Sequence, residues 1–190
     1  MAGQKEIIRC DWALNEVNHY YHDNEWCVPS HDDRYIFEML ILEGMQAGLS
    51  WVTILRKRDA FRKAFDNFDA SLVAKYDEKK IAELMENEGI IRNKLKINAA
   101  INNAKLFLKI AKEYGSFSKF IWSYTNGVQI KNKWTKSDEI PARTELSDKI
   151  SKDLKKLGFK FTGTVIIYSF MQAIGMVNDH LTICDCHSRD

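Results

Sequence analysis

The chain has 190 residues, 45% of them hydrophobic and 28% charged, and a formal net charge of +2. That balance describes a globular protein of one large domain or two small ones sharing a core, and it excludes a disordered or low-complexity polymer. The charge is uneven: residues 1–95 carry 13 Lys/Arg against 17 Asp/Glu and residues 96–190 carry 15 against 9, so the second half could face phosphates, although such a run is more often a solvated helix face.

In chain order, the N-terminal "MAGQKEIIRCDW" lacks the apolar centre of a secretory signal. After Pro29, Ser30 with Asp33 reads as a capping box opening one long, almost wholly apolar helix over "RYIFEMLILEGMQAGLSW", which must be buried. Amphipathic helices follow over "WVTILRKRDAFRKAF" and over "EKKIAELMENEG", the latter stopped by Gly89. Next comes a stripe of Ile97, Ala100, Ile101, Ala104, Leu108 and Ala111 at helical spacing. The polar stretch from Tyr124 to Arg143 reads as a long loop, and helices resume with "LSDKISKDLKKLG" and "TGTVIIYSFMQAIGMVND". The longest apolar run, from Val165, is interrupted by Ser169 and Gln172 and is too short to span a bilayer. No segment alternates as a strand. The expectation is a single all-α domain over 1–190 in a cytoplasmic protein, with a central lobe near 34–115 and a second lobe from both ends, 1–33 and 116–190.

Three features carry chemistry. His180 and Cys184 stand one helical turn apart, half of a tetrahedral metal site. Cys10 and His22 are natural partners, but by residue type Cys27, Cys186, His19, His31 and His187 compete on equal terms. Four protein ligands would leave no open position, so such a metal would be structural. The second feature is "GIIRNKLKI", a turn between helices with Arg92, Lys94 and Lys96 close by, suited to a DNA phosphate but equally to an ordinary helical connection. The third is Glu43, an acid in an apolar helix that needs either a buried Arg or Lys partner or a ligand-binding pocket. Tyr20, Tyr21, Trp26 and Trp51 suggest an aromatic slot for a flat ring, against the plainer reading that they are core.

Together "YHDNEWCVP", "LEGMQAGLSW", "GIIRNKLKI" and "GFKFTGTVIIYSFMQAIGMVNDH", framed by Cys10 and Cys184, resemble the 3-methyladenine DNA glycosylase I (Tag) family from about Ile8 to Cys184. The resemblance implies an all-helical helix-hairpin-helix fold and excision of 3-methyladenine from alkylated double-stranded DNA; the expected form is a monomer. It also implies a structural Zn2+ joining the termini through Cys10, His22, His180 and Cys184. It places Glu43 and Tyr21 as the hydrogen-bonding groups for the excised base, Trp51 as the stacking ring and Trp12 and Trp26 as pocket walls. Gly89, Ile90, Ile91, Arg92, Lys94 and Lys96 become the DNA-anchoring hairpin, its lysines exposed. Most helix-hairpin-helix glycosylases carry a catalytic Asp beyond the hairpin; "NAAINNAKLFLKIAKEYG" has none, which fits an enzyme restricted to labile lesions. Three positions depart from the family pattern: Cys27 where Gly is usual, a Cys10–His22 connection one residue shorter, and the tail "CDCH". The alternatives are a non-catalytic zinc-stabilised binder of damaged nucleic acid and a helical module that binds an acidic protein.

Overall fold

A computed structural model describes residues 7–188; the first six residues of the segment read for a secretory signal lie outside the described residues. The helices, in order, are α1 (Glu16–Asn24), α2 (Asp33–Gln46), α3 (Trp51–Ala64), α4 (Ala70–Val73), α5 (Glu78–Glu86), α6 (Lys94–Tyr114), α7 (Phe117–Trp122), α8 (Glu145–Lys156) and α9 (Thr164–Ala173). Among the described residues no helix is long and apolar enough to cross a membrane.

The centre of the molecule is α2, buried without interruption from Ile36 to Met45 because α3, α6, α7 and α9 all pack against it. Its entry differs from the Ser30–Asp33 capping box. Ser30 is held in a strap, its N–H donating to the Ile174 carbonyl and its own carbonyl accepting from the Trp122 indole. Asp32 therefore caps α2, accepting from the Arg34 N–H at 2.9 Å, while Asp33 accepts from Phe117 and Ser118 N–H at 3.0 and 2.6 Å and anchors the start of α7.

The exit of α2 also differs: the expected single helix through Trp51 breaks at Ala47. Gly48 takes φ +80°, and Ser50 caps a new helix by accepting from the Thr53 N–H at 3.3 Å. Glu43 and Trp51 thus stand on two helices joined by a tight turn. The α6 stripe begins with Ile97, Ala100, Ile101 and Ala104 as expected, then continues through Phe107 and Ile110 while Leu108 is exposed, because a 3.6-residue period drifts around the helix.

The 124–143 stretch is more ordered than a plain loop. Short 3-10 turns stand at Ser123–Thr125 and Ser137–Glu139, and β1 (Ile130–Lys131) pairs in parallel with β2 (Val177–Asn178), correcting the expectation of no strand. Asp179 fixes this region: buried, it accepts from Asn132, Trp134, Tyr168 and Gln172, each at 2.7 Å. The stretch from 130 to 140 is held against the C-terminal segment and α9.

Candidate functional site

A cavity of about 400 Å³ opens where the N-terminal segment, the α2–α3 turn and α9 meet. Trp12, Tyr21, Trp26, Glu43, Gln46 and Trp51 line it on one side and Ser137, Ile140, Ser169 and Gln172 on the other. Its volume and aromatic walls suit a small planar ligand. All five residues expected at a base pocket (Trp12, Tyr21, Trp26, Glu43, Trp51) line this one cavity.

The aromatic walls are fixed in mutual contact. Tyr21 and Trp51 lie 5.2 Å apart between ring centroids, and Trp12 meets Trp26 edge-on at 4.9 Å. The indole N–H groups of Trp12 and Trp51 are buried with no hydrogen-bond partner among the described residues. Burial pushes the Tyr21 phenol well up, so it is a neutral hydroxyl.

Glu43 resolves between its two readings. The Arg partner exists in this region but belongs to another acid: Arg58 donates to Glu38 at 2.7 Å and holds Glu25 with two bonds at 2.9 and 2.7 Å, while Arg62 adds to Glu38 at 2.8 Å. Glu43, 4% exposed, has no hydrogen bond or ion pair among the described residues and faces the cavity. Desolvation pushes its carboxyl up to about 8, so burial holds it mostly neutral at pH 7.

Behind the Trp12–Trp26 wall lies a buried cluster of Cys10, His22, His180 and Cys184, ligand atoms within 4.8 Å of one another. Cys184 Sγ stands 3.5 Å from His180 Nδ1 and 3.6 Å from His22 Nε2, and Cys10 Sγ 3.7 Å from His180 Nδ1. A tetrahedral ion bound at about 2.3 Å to sulfur and about 2.05 Å to nitrogen needs S···N edges of about 3.6 Å. The ring nitrogens turned away from the cluster are also held. His22 Nδ1 meets Asp23 at 2.8 Å, with Asp23 gripped by Arg9 at 2.6 Å, and His180 Nε2 meets the Trp26 carbonyl at 3.2 Å. The hydrogen bond to Cys10, then those to His180 and His22, pull the Cys184 thiol down toward the thiolate that ligates metals. These residues fit a soft divalent ion.

Of the rival ligands, His19, His31, Cys27 and His187 lie outside the four-residue cluster. His31 bonds Ser118 and His187 the Asn132 carbonyl. Cys27 adopts φ +63°, the left-handed region a Gly would occupy freely, and its sulfur accepts the Asp179 N–H at 3.3 Å. Cys186 approaches from the other edge of His22, its sulfur 3.9 Å from Nδ1.

The segment 87–96 forms a tight turn from α5 into α6, with Asn87 accepting the Gly89 N–H and Asn93 capping α6 through Leu95 and Lys96 N–H. Gly89 is required: a Cβ there would stand 2.8 Å from the Cβ of Ala60. Ile91, Arg92 and Lys94 reach the surface to varying degree, whereas Ile90 is buried as an anchor. Lys96 corrects the expectation of an exposed lysine. It is 8% exposed, and its ammonium donates to the Met45 and Ala47 carbonyls at 2.8 and 2.7 Å. The sequence gives no sign of this, since in "NKLKI" Lys94 and Lys96 look alike. Gln46, Ser137, Ile140, Ser169 and Gln172 were also missed as lining residues; their types are common on any surface, and only the packing of α9 and the 130–140 segment brings them here.

Residues 12–188 match the family model described as methyladenine glycosylase. The chain is 47% identical over 180 residues to DNA-3-methyladenine glycosylase 1 of Escherichia coli strain K12, an alignment spanning 94% of this chain and 96% of that protein. It is 44% identical over 180 residues to DNA-3-methyladenine glycosylase of Haemophilus influenzae, spanning 94% and 97%. A solved 3-methyladenine DNA glycosylase I from Staphylococcus aureus, described for its recognition of 3-methyladenine, superposes with a TM-score of 0.90 at 38% identity and covers 93% of this chain and 94% of that one.

Proposed function

This chain belongs to the methyladenine glycosylase family, and we propose on that footing that it is a monofunctional DNA-3-methyladenine glycosylase. It hydrolyses the N-glycosidic bond of 3-methyladenine in alkylated duplex DNA, releasing the free base and leaving an abasic site. One observation carries the reading: an aromatic-walled cavity of about 400 Å³ holding a buried carboxyl with no partner.

A base inside a duplex cannot be reached, so the lesion flips out, at a cost of a few kcal/mol that is smaller for a damaged pair. Trp51 stacks on the extruded ring, Tyr21 and Glu43 hydrogen-bond its edge, and Trp12 and Trp26 close the walls. Methylation at N3 gives the nucleoside base a positive charge. When the C1′–N9 bond breaks, its electron pair returns to N9 and the base leaves neutral; water adds to C1′ and loses a proton. Bond lability therefore belongs to the lesion itself. Stacking of the cation on an indole supplies about 0.5–2 kcal/mol, at most roughly 30-fold. Glu43 adds selection of a different kind. A neutral adenine meets a carboxyl that burial keeps protonated, whereas a cationic base draws out the ionised form and pairs with it. Glu43 thus acts in capture of the charged base, and the weak bond accounts for the chemistry.

The 89–96 segment supports a helix-hairpin-helix grip in which the surface side chains of Arg92 and Lys94 hold phosphate. The Cys10, His22, His180 and Cys184 cluster supports a structural Zn2+, which when bound ties the termini together and stiffens the Trp12–Trp26 wall. The cavity then lies between a central lobe, 34–115, and a lobe built from both ends, in a cytoplasmic monomer.

The test is incubation with methylated duplex DNA. Free 3-methyladenine with matching abasic sites is expected; retention of the DNA without release would mark the non-catalytic binder instead.

A further inference from the structure

Lys96 is the one residue of the hairpin segment whose charged group turns inward, and the sequence offers no reason for it. Its ammonium sits on the Met45 and Ala47 carbonyls at 2.8 and 2.7 Å, at the C-terminal end of α2. Those carbonyls have no helical partner of their own, and they form the negative end of the helix dipole. The last turn of α2 carries Glu43 and Gln46 into the cavity, and the four residues after it, Ala47–Ser50, lead directly to Trp51. Two neighbouring residues on the same first turn of α6 face outward: Leu95 is 74% exposed and Lys94 lies at the surface, 3.9 Å from Glu78. The first turn of α6 therefore has one side free for DNA and one side fastened to the cavity.

We propose that Lys96 is a positioning residue that joins the DNA-gripping hairpin to the base cavity. Its charge satisfies the C-terminal carbonyls of α2 and fixes the 47–50 turn, so that Glu43 and Trp51 face one another across the base. Phosphate engaged at Arg92 and Lys94 then bears on a segment rigidly continuous with the pocket. This rests on the glycosylase reading, and it assigns Lys96 no contact with DNA or with the base.

The test compares the full-length parent, Lys96→Met, Lys96→Arg and the double variant Arg92→Ala/Lys94→Ala. Three quantities are read: affinity for free 3-methyladenine by tryptophan fluorescence, the salt slope of binding to undamaged duplex, and far-UV circular dichroism. Lys96→Met is expected to weaken free-base binding at least about tenfold with the parental salt slope and helix content, and Lys96→Arg, which keeps the charge and the reach, to recover most of it. The double variant should do the reverse, flattening the salt slope with base affinity intact. A Lys96→Met variant that loses salt slope but binds the free base normally would make Lys96 an ordinary phosphate contact and overturn the proposal. So would a Lys96→Arg variant that folds and fails to recover base binding, which also decides the matter if Lys96→Met does not fold. A parent that binds no 3-methyladenine would instead contradict the glycosylase reading itself.

Discussion

Glu43 is costly to the fold in a way that depends on pH. Its carboxyl titrates near 8 in the folded protein and near 4.5 in the unfolded chain, so between those values the folded state holds more protons. Stability is therefore greatest at the acid end of that window and declines as pH rises from 4.5 to 8, by an amount on the order of 5 kcal/mol for this group. Glu43→Gln removes the titration. Thermal melts at pH 5 should find the variant and the parent alike, and melts at pH 8.5 should find the variant more stable; equal stability at both pH values would mean that Glu43 is not desolvated. Such a residue was legible in the sequence because an acid in an apolar helix has few explanations. Its neighbour Glu38 is equally buried but was passed over, since the two arginines that neutralise it come from α3, twenty and twenty-four residues further along the chain. Lys96 was misread for the same reason: burial is decided by where a long side chain turns, and residue type does not report that.

At the scale of elements, the helices were readable and their ends were not. Periodicity located α2, α3, α5, α6, α8 and α9, while the break at Ala47 depended on Gly48 and Ser50 acting together as a stop and a start. That break matters, because it sets Glu43 and Trp51 on separate helices at the mouth of one cavity. The turn between α5 and α6 was legible and the direction taken by its lysines was not. With Arg92 and Lys94 at the surface, replacing both by Ala should reduce the slope of log K against log salt for duplex DNA by roughly 1.8, two phosphate contacts at about 0.9 each. A slope unchanged by the double substitution would place the phosphate grip elsewhere, with the lysines of α8 as the next candidates.

Across the whole molecule, the Cys10–His22–His180–Cys184 cluster and the cavity are two sides of one wall. His22 packs against Trp12 at 5.4 Å and His180 against Trp26 at 4.7 Å, so whatever organises the histidines also organises the pocket. On the proposed Zn2+ reading, treatment with a chelator, or replacement of Cys184 by Ala, should lower the melting temperature and raise hydrogen exchange first in residues 7–30 and 176–188, with weaker 3-methyladenine binding following. Exchange that rises uniformly, or not at all, would contradict a clamp on the termini. The four candidate ligands were named from family motifs, since five other His and Cys side chains were chemically equivalent on paper. Folding separates them by bringing residues 170 positions apart, Cys10 and His180, to 3.7 Å. The most direct measurement is the rate of 3-methyladenine release from methylated duplex DNA at matched salt, for the parent and Glu43→Gln, across pH 6 to 9. The parent is expected to gain kcat/KM toward a plateau above pH 8 as Glu43 ionises, and the variant to be at least about 100-fold slower in kcat/KM at the plateau with no such rise. A variant that matches the parent in rate and pH profile would show that the base is captured without Glu43.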